Sequence, residues 1–393
     1  MPRRASNSKT RSRRRKRTSA NRGGRKQFII AVVFMVLVAA FVVGIILYSK
    51  YKRYTGYTVE SVIEMSNSEE NTEYYVYGRG YLKCAGDGVT YFNSDGIIWS
   101  ENYSMIQPVV DICDDYVAVA DIGQRNVFIY DRGGFVNRLN LSHNITDVEI
   151  SRAGVIAVAS NDGNFSFIEI TDRQGNEIMT QKSVFSVSGY LMDISMSPDG
   201  SKLAAVFVSI DKGTLRSRVV FYDLSGEGGE QDIIAGTFDQ YESVLLTTVR
   251  FMNNDRVCVV GDAGISIYRF TDSVELVYEN LETGWEIQTL FFDDRYIGMI
   301  AEENESSHRN TIKVMDLWGN LVLNRGLDYS YDRADFAGDN VILYSYRECL
   351  MYSFAGVEKL YQEFDLHIEA LKSADGRNFV YGTNANTQFI KLR

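Results

Sequence analysis

Three histidines, His143, His308 and His367, are spread along 393 residues with no second histidine two or four positions away. A zinc centre needs several His, Cys or carboxylate ligands at short spacing, so these three read as loop or strand-end residues. The four cysteines, Cys84, Cys113, Cys258 and Cys349, form no C-x-x-C pair. Each sits in or beside an apolar run, where a thiol behaves as a small buried hydrophobe. One disulfide in an oxidising compartment stays open, with three complete pairings. Carboxylates stand side by side at Asp114 and Asp115, Asp293 and Asp294, and Glu302 and Glu303, the raw material of acid–base or calcium chemistry. Neighbours on a strand point to opposite faces, and Asp293 and Asp294 fall in an expected hairpin, so solvated turns are the reading. There is no G-x-S-x-G elbow and no EF-hand pattern. Gly228 and Gly229 have no helix behind them to cradle a phosphate. The sequence therefore predicts no catalytic residue, no metal and no cofactor.

Two insertions are the better candidates. SIDKGTLRSR (Ser209 to Arg218) and EENESSHRNT (Glu302 to Thr311) each separate a second from a third expected strand. Lys212, Arg216, Arg218, His308 and Arg309 make both tips locally basic, and loops on a rigid scaffold are where binding residues concentrate. These five are the candidate partner-binding residues. Plain hairpin elongation is the competing reading.

The elements that would carry them repeat. Beyond Arg53 no helical periodicity persists, and short apolar runs alternate with Gly, Asp and Asn clusters, an all-β signal. The segment from Val109 to Leu139 reads as four strands, and the same order recurs from Ile145, Leu191, Thr247, Gln288 and Arg333. A D-x-x-G turn between third and fourth strands marks the phase: Asp131 to Gly134, Asp172 to Gly175, Asp223 to Gly226 and Asp316 to Gly319, with variants at Asn93 to Gly96 and Ser353 to Gly356. Asp caps its own turn and Gly takes φ > 0 without penalty, so these are structural residues. Four strands at a period near 40 to 50 predict an all-β fold, a β-propeller. Three strands after Ile368 lack a fourth, and Tyr57 to Met65 is a strand without a sheet. Pairing the two would close the ring and remove exposed edges. That gives eight four-stranded blades, or seven if Glu73 to Tyr77 is not an inner strand.

Charge and hydropathy divide the chain further. Twelve of the 41 Lys and Arg lie between Arg3 and Lys26, and all 51 acids lie beyond Arg53, where 26 bases leave a net of -25. Phe28 to Tyr48 is uncharged; its 21 residues span roughly 32 Å as a helix, enough for the hydrocarbon core. Its 15 Val, Ile, Leu and Phe residues favour insertion by roughly 5 to 9 kcal/mol. The run is longer than a signal peptide's apolar region, which predicts an uncleaved anchor. Basic residues before it place the N-terminus in the cytoplasm. The organisation read from the sequence is a basic cytoplasmic tail (1–27), a transmembrane helix (28–48), a juxtamembrane linker (49–56) and an extracytoplasmic propeller (57–393). The tail reads as a topology signal that also attracts anionic lipid, and no specific nucleic acid is expected.

Two segments carry a resemblance. SPDGSKLA (Ser197 to Ala204) looks like the first hairpin of WD-like repeats, and NSDGIIWS (Asn93 to Ser100) looks like the outer turn of quinoprotein-like repeats. With the basic tail, the single anchor and the AVAD and YDxxG blades, the chain is similar to an uncharacterised family of membrane-anchored β-propeller proteins of Gram-positive bacteria. The resemblance implies a topology and no reaction. The expectation is a noncatalytic scaffold of the cell envelope with a protein or glycan partner. The rivals are a glycan-active hydrolase or lyase, which needs carboxyl groups about 5 to 9 Å apart in the channel, and a transmembrane sensor acting through the tail.

Overall fold

The computed structural model describes residues 22–65, 72–226, 233–281, 284–303 and 308–393, in two compact units that part between Lys52 and Arg53. The first contains a 30-residue helix, Arg22–Tyr51. Among the described residues no helix is long and apolar enough to cross a membrane.

The second unit is an eight-bladed β-propeller of four-stranded antiparallel sheets. In chain order the inner strands of blades 1 to 8 are Glu73–Tyr77, Pro108–Cys113, Asn144–Ile150, Tyr190–Met196, Leu246–Phe251, Trp285–Phe292, Arg333–Phe336 and Ala370–Lys372. Glu73–Tyr77 opens a sheet of its own, which decides for eight blades over seven. Second strands such as Tyr116–Asp121 and Arg256–Gly261 are buried almost end to end. Neighbouring blades cover both their faces, so the sequence there reads as an unbroken apolar run. The outermost strand of blade 3, Glu177–Val184, instead alternates between exposed and half-buried positions. Eight apolar clusters fill the eight seams between blades.

The ring closes as the unpaired strand requires. Tyr57–Ile63 forms the outer strand of blade 8, with Tyr57 opposite Leu392 and Ile63 opposite Thr387. The strand stops short of Met65, which is buried instead against Tyr74, Phe92, Ala370 and Val380.

Strands alternate in direction, so two faces result. Connections from second to third strands, and from each blade to the next, emerge on one face. The D-x-x-G turns emerge on the other, where the chain joins the ring at Tyr57. Those turns work as expected: the Oδ1 atoms of Asp131, Asp172, Asp223 and Asp316 accept the N–H of Gly133, Gln174, Ser225 and Trp318 at 2.7 to 2.9 Å. Gly134, Gly175 and Gly319 have φ of 113°, 89° and 85°, and Gly226 lies at the edge of the described residues. A Cβ on Gly319 would also stand 2.2 Å from the Tyr278 ring. Gly319→Ala should therefore cost about 1–3 kcal/mol in urea unfolding.

Candidate functional site

The first insertion is strand. Lys202–Asp211 and Thr214–Asp223 pair without interruption down to Asp211 opposite Thr214. The intervening Lys212 and Gly213, with φ of 50° and 87°, make a two-residue hairpin turn. The expected loop is thus an extended hairpin with a rigid stem. Lys212 tops it and Ile210 is 76% exposed. Arg216 bridges Asp211 at 3.6 Å and Glu242 at 3.4 Å, which offsets the basic character expected of the tip. Arg218 is half-buried in the stem.

The second insertion is described except for residues 304–307, which lie outside the described residues. His308 Nδ1 lies 2.7 Å from an oxygen of Asp328, and the Arg309 N–H donates to the other oxygen at 3.3 Å. His308 and Arg309 therefore share one carboxylate in blade 6, while Lys212, Arg216 and Arg218 share one hairpin in blade 4. The remaining histidines are local. His143 stacks on Phe167 with centroids 3.8 Å apart and contacts Glu169 at 3.0 Å; His367 contacts Glu369 at 2.9 Å. The four cysteines are free thiols. Burial pushes Cys84 and Cys349 up to about 12, so both are inert as nucleophiles at neutral pH. Asp293 caps its turn, accepting from the N–H groups of Arg295 and Tyr296 at 2.8 and 2.6 Å.

Sequence reasoning missed the channel. The inner strands of blades 2 to 5 lie against one another in succession, and their acids reach across the seams to the next blade's backbone. Asp111 of blade 2 accepts the Ile150 N–H of blade 3 at 2.7 Å. Glu149 of blade 3 accepts from Met196 N–H and Ser195 Oγ of blade 4, both at 3.2 Å. Ser195 Oγ in turn accepts the Phe251 N–H of blade 5 at 3.0 Å. A second row does the same: Asp147 accepts from Ile194, and Asp193 from Val249 at 2.7 Å. Between blades 7 and 8 the Lys372 ammonium takes the backbone's place, donating to Asp335. Farther round, Arg333 Nη1 meets Glu73 Oε1 at 2.5 Å.

Four carboxyls thus share one side of the channel, faced by Arg250. Burial raises the pKa of each, and the neighbouring acids reinforce it for Asp147 and Glu149. Arg250 and the seam N–H groups pull in the other direction. Asp193 is pushed up to about 7, and its carboxyl is hydrogen-bonded to that of Asp147. Asp147 and Asp193, in direct contact, are closer than glycoside hydrolysis uses, and each of the four carboxyls is tied to a neighbouring blade. This arrangement holds blades together. Among the described residues no cluster of three or more His, Cys, Asp or Glu is placed to hold a metal ion.

An eight-bladed ring of four-stranded antiparallel sheets, with short D-x-x-G turns and acid-laced inner seams, places the molecule in the class of β-propellers. The chain belongs to a family of unknown function, DUF5711, whose profile matches residues 50–392. No curated protein matches the sequence. Among solved structures it is similar to Sqt1 of Chaetomium thermophilum, at 12% identity and TM-score 0.53, covering 86% of this chain and 98% of that one. It is also similar to Saccharomyces cerevisiae Sqt1, at 8% identity and TM-score 0.51, covering 87% and 99%. A third is described as the eukaryotic initiation factor, at 11% identity and TM-score 0.50, covering 84% and 90%. At these identities the likeness is one of fold.

Proposed function

We propose that the protein is a noncatalytic binding scaffold, anchored by Phe28 to Tyr48, whose propeller presents its hairpin face to a protein or glycan of the cell envelope. The observation that carries the reading is the hairpin of blade 4. Its two ten-residue strands are longer than any other strand among the described residues, and its tip offers Ile210 and Lys212 on a rigid stem. The acids of the channel are engaged in holding the ring together, which leaves the rim as the surface free to recognise.

Anchoring is supported by the uncharged run and by the helix over Arg22–Tyr51, where Phe34, Met35, Leu37 and Phe41 are exposed. An apolar surface of that extent needs lipid or protein to cover it. The basic tail argues for a cytoplasmic N-terminus, and the -25 charge on the body argues against nucleic acid.

Crosslinking in intact cells tests the reading. An envelope partner should be recovered with the full chain, and recovery should fall at least about fivefold when residues 209–218 are shortened to a two-residue turn. Unchanged recovery would remove the hairpin from the interface. Labelling of introduced cysteines by an impermeant maleimide should mark Lys212→Cys in whole cells and leave Ser6→Cys unmarked; the reverse pattern would overturn the orientation.

A further inference from the structure

Between blades 6 and 7, on the hairpin face, lies a cavity of about 280 Å³ formed where Arg309 and Asn310, at the start of the third strand of blade 6, meet the crossing into blade 7. We propose that this cavity is a saccharide site that takes one pyranose ring of a neutral glycan, walled by Tyr329 and Tyr331 and read by Gln288, Asn310 and Asp332. The inference rests on the scaffold reading for its place in the cell and names the chemistry of one ligand.

Asn310 carries the argument. It lines the cavity, is only 7% exposed, and its Oδ1 has no hydrogen-bond partner among the described residues. A buried amide oxygen left unpaired is costly and rare. Rotation about its terminal torsion, which is soft, turns either end of the amide to a ligand. Around it the lining offers both donors and acceptors: the Gln288 amide, whose Nε2 also donates to Glu302 at 3.2 Å, the Arg309 guanidinium and the Asp332 carboxylate. A ligand that satisfies such a set must itself donate and accept, as sugar hydroxyls do.

Charge argues for a neutral ligand. Arg309 is offset by Asp332 in the lining and by Asp328, whose carboxylate accepts the Arg309 N–H. The two tyrosine rings are held as fixed walls. Tyr331 Oη lies 2.9 Å from Thr289 Oγ1, and Tyr329 Oη donates to the Glu348 carbonyl at 3.0 Å. Fixed aromatic walls suit the C–H face of a pyranose. The volume falls at the small end of ligand pockets, below about 300 Å³, which fits one ring and not an extended peptide.

The test is saturation-transfer NMR on the detergent-solubilised full chain. The probes are methyl β-D-glucopyranoside, methyl N-acetyl-β-D-glucosaminide and acetyl-trialanine amide. Transfer is expected to at least one glycoside and not to the peptide. Affinity for that glycoside should drop about tenfold in Asn310→Leu and in Gln288→Ala, the worth of one hydrogen bond. The thermal midpoint of Asn310→Leu should equal or exceed the parent's, because an unpaired amide gives way to an apolar side chain of like volume; a merely structural asparagine would lose stability. If Asn310→Leu does not fold, Gln288→Ala reads the same loss. No transfer to either glycoside, transfer to the peptide alone, or unchanged affinity in the folded variants would overturn the site. Glycoside binding with unchanged crosslinking after hairpin shortening overturns the hairpin interface alone, and the converse pair of results overturns this site alone.

Discussion

A chain that begins at Arg53 is expected to unfold cooperatively, whereas one that begins at Met65 should lose roughly 3–6 kcal/mol and self-associate. Both lack the helix, so the difference isolates the closing strand. Tyr57–Ile63 pairs six residues with Thr387–Leu392, and about six ladder hydrogen bonds at about 0.5–1 kcal/mol each set the scale. The ends are tied further. Thr55 donates to the Arg393 carbonyl at 2.9 Å, Arg393 donates to that of Gly56 at 3.0 Å, and Tyr57 stacks on Phe364 with centroids 4.9 Å apart. The seam between blades 8 and 1 has a small core, Met65, Tyr74, Phe92, Ala370 and Val380, so little apolar packing would hold that side of the ring once the strand is gone. Without it, Thr387–Leu392 becomes a bare edge ready to pair with another molecule. In the intact protein the outer edge is blunted by a bulge at Glu60, which pairs with Lys391 at 3.3 Å. Urea titration and size-exclusion chromatography check the result; equal midpoints and a monomeric Met65 form would show that the ring does not depend on this strand.

The closure and the eight blades were legible because their signals are local. A D-x-x-G turn announces itself in four residues through an aspartate cap and a glycine φ, and the spacing of such turns counts blades. The partnerless Tyr57 strand had one sheet left to complete. The hairpin at residues 209–218 was harder to read. The run of Asp, Lys, Arg and Ser has the composition of a loop, and Lys212 with Gly213 is not the Asn-Gly or Asp-Gly pair that usually marks such a turn. The channel was illegible for another reason. Asp111, Glu149, Ser195 and Arg250 are polar residues scattered among the apolar ones of the inner strands and gain meaning only when the ring sets consecutive blades side by side. Aligning the repeats on their inner strands would have stacked them at one position. The cavity at Asn310 left no mark of its own, since Gln288 and Asn310 come from two separate strands and Tyr331 from a connection between blades.

Asp193→Asn should stabilise the protein at pH 8 by about 1–3 kcal/mol and leave it nearly unchanged at pH 4. Asp193 titrates near 7 in the folded ring because burial opposes its charge, with the negative charge of Glu149 adding to the effect. In the unfolded chain it titrates near the ordinary aspartate value, about 3.9. Between those values the folded state binds more protons than the unfolded one, so this group's contribution to stability falls as pH rises from about 4 to about 7 and stays lost above that. An asparagine keeps the acceptor for the Val249 N–H, supplies a donor toward Asp147, and carries no charge to bury. The measured quantity is therefore the difference between variant and parent across pH, which cancels the exposed ion pairs common to both. Asp147 and Asp193 titrate as a pair, so Asp147→Asn should flatten the same window. Arg250→Ala should do the opposite. It removes the cation facing Asp111, Glu149 and Asp193, and the parent-minus-variant difference should widen above pH 7, where those acids are forced to ionise. Denaturant midpoints at pH 4, 6 and 8 decide the matter. A pH-independent gain in Asp193→Asn would mean that the aspartate is charged throughout, and that the seam is an ion-paired bridge to Arg250 and not a proton-sharing one.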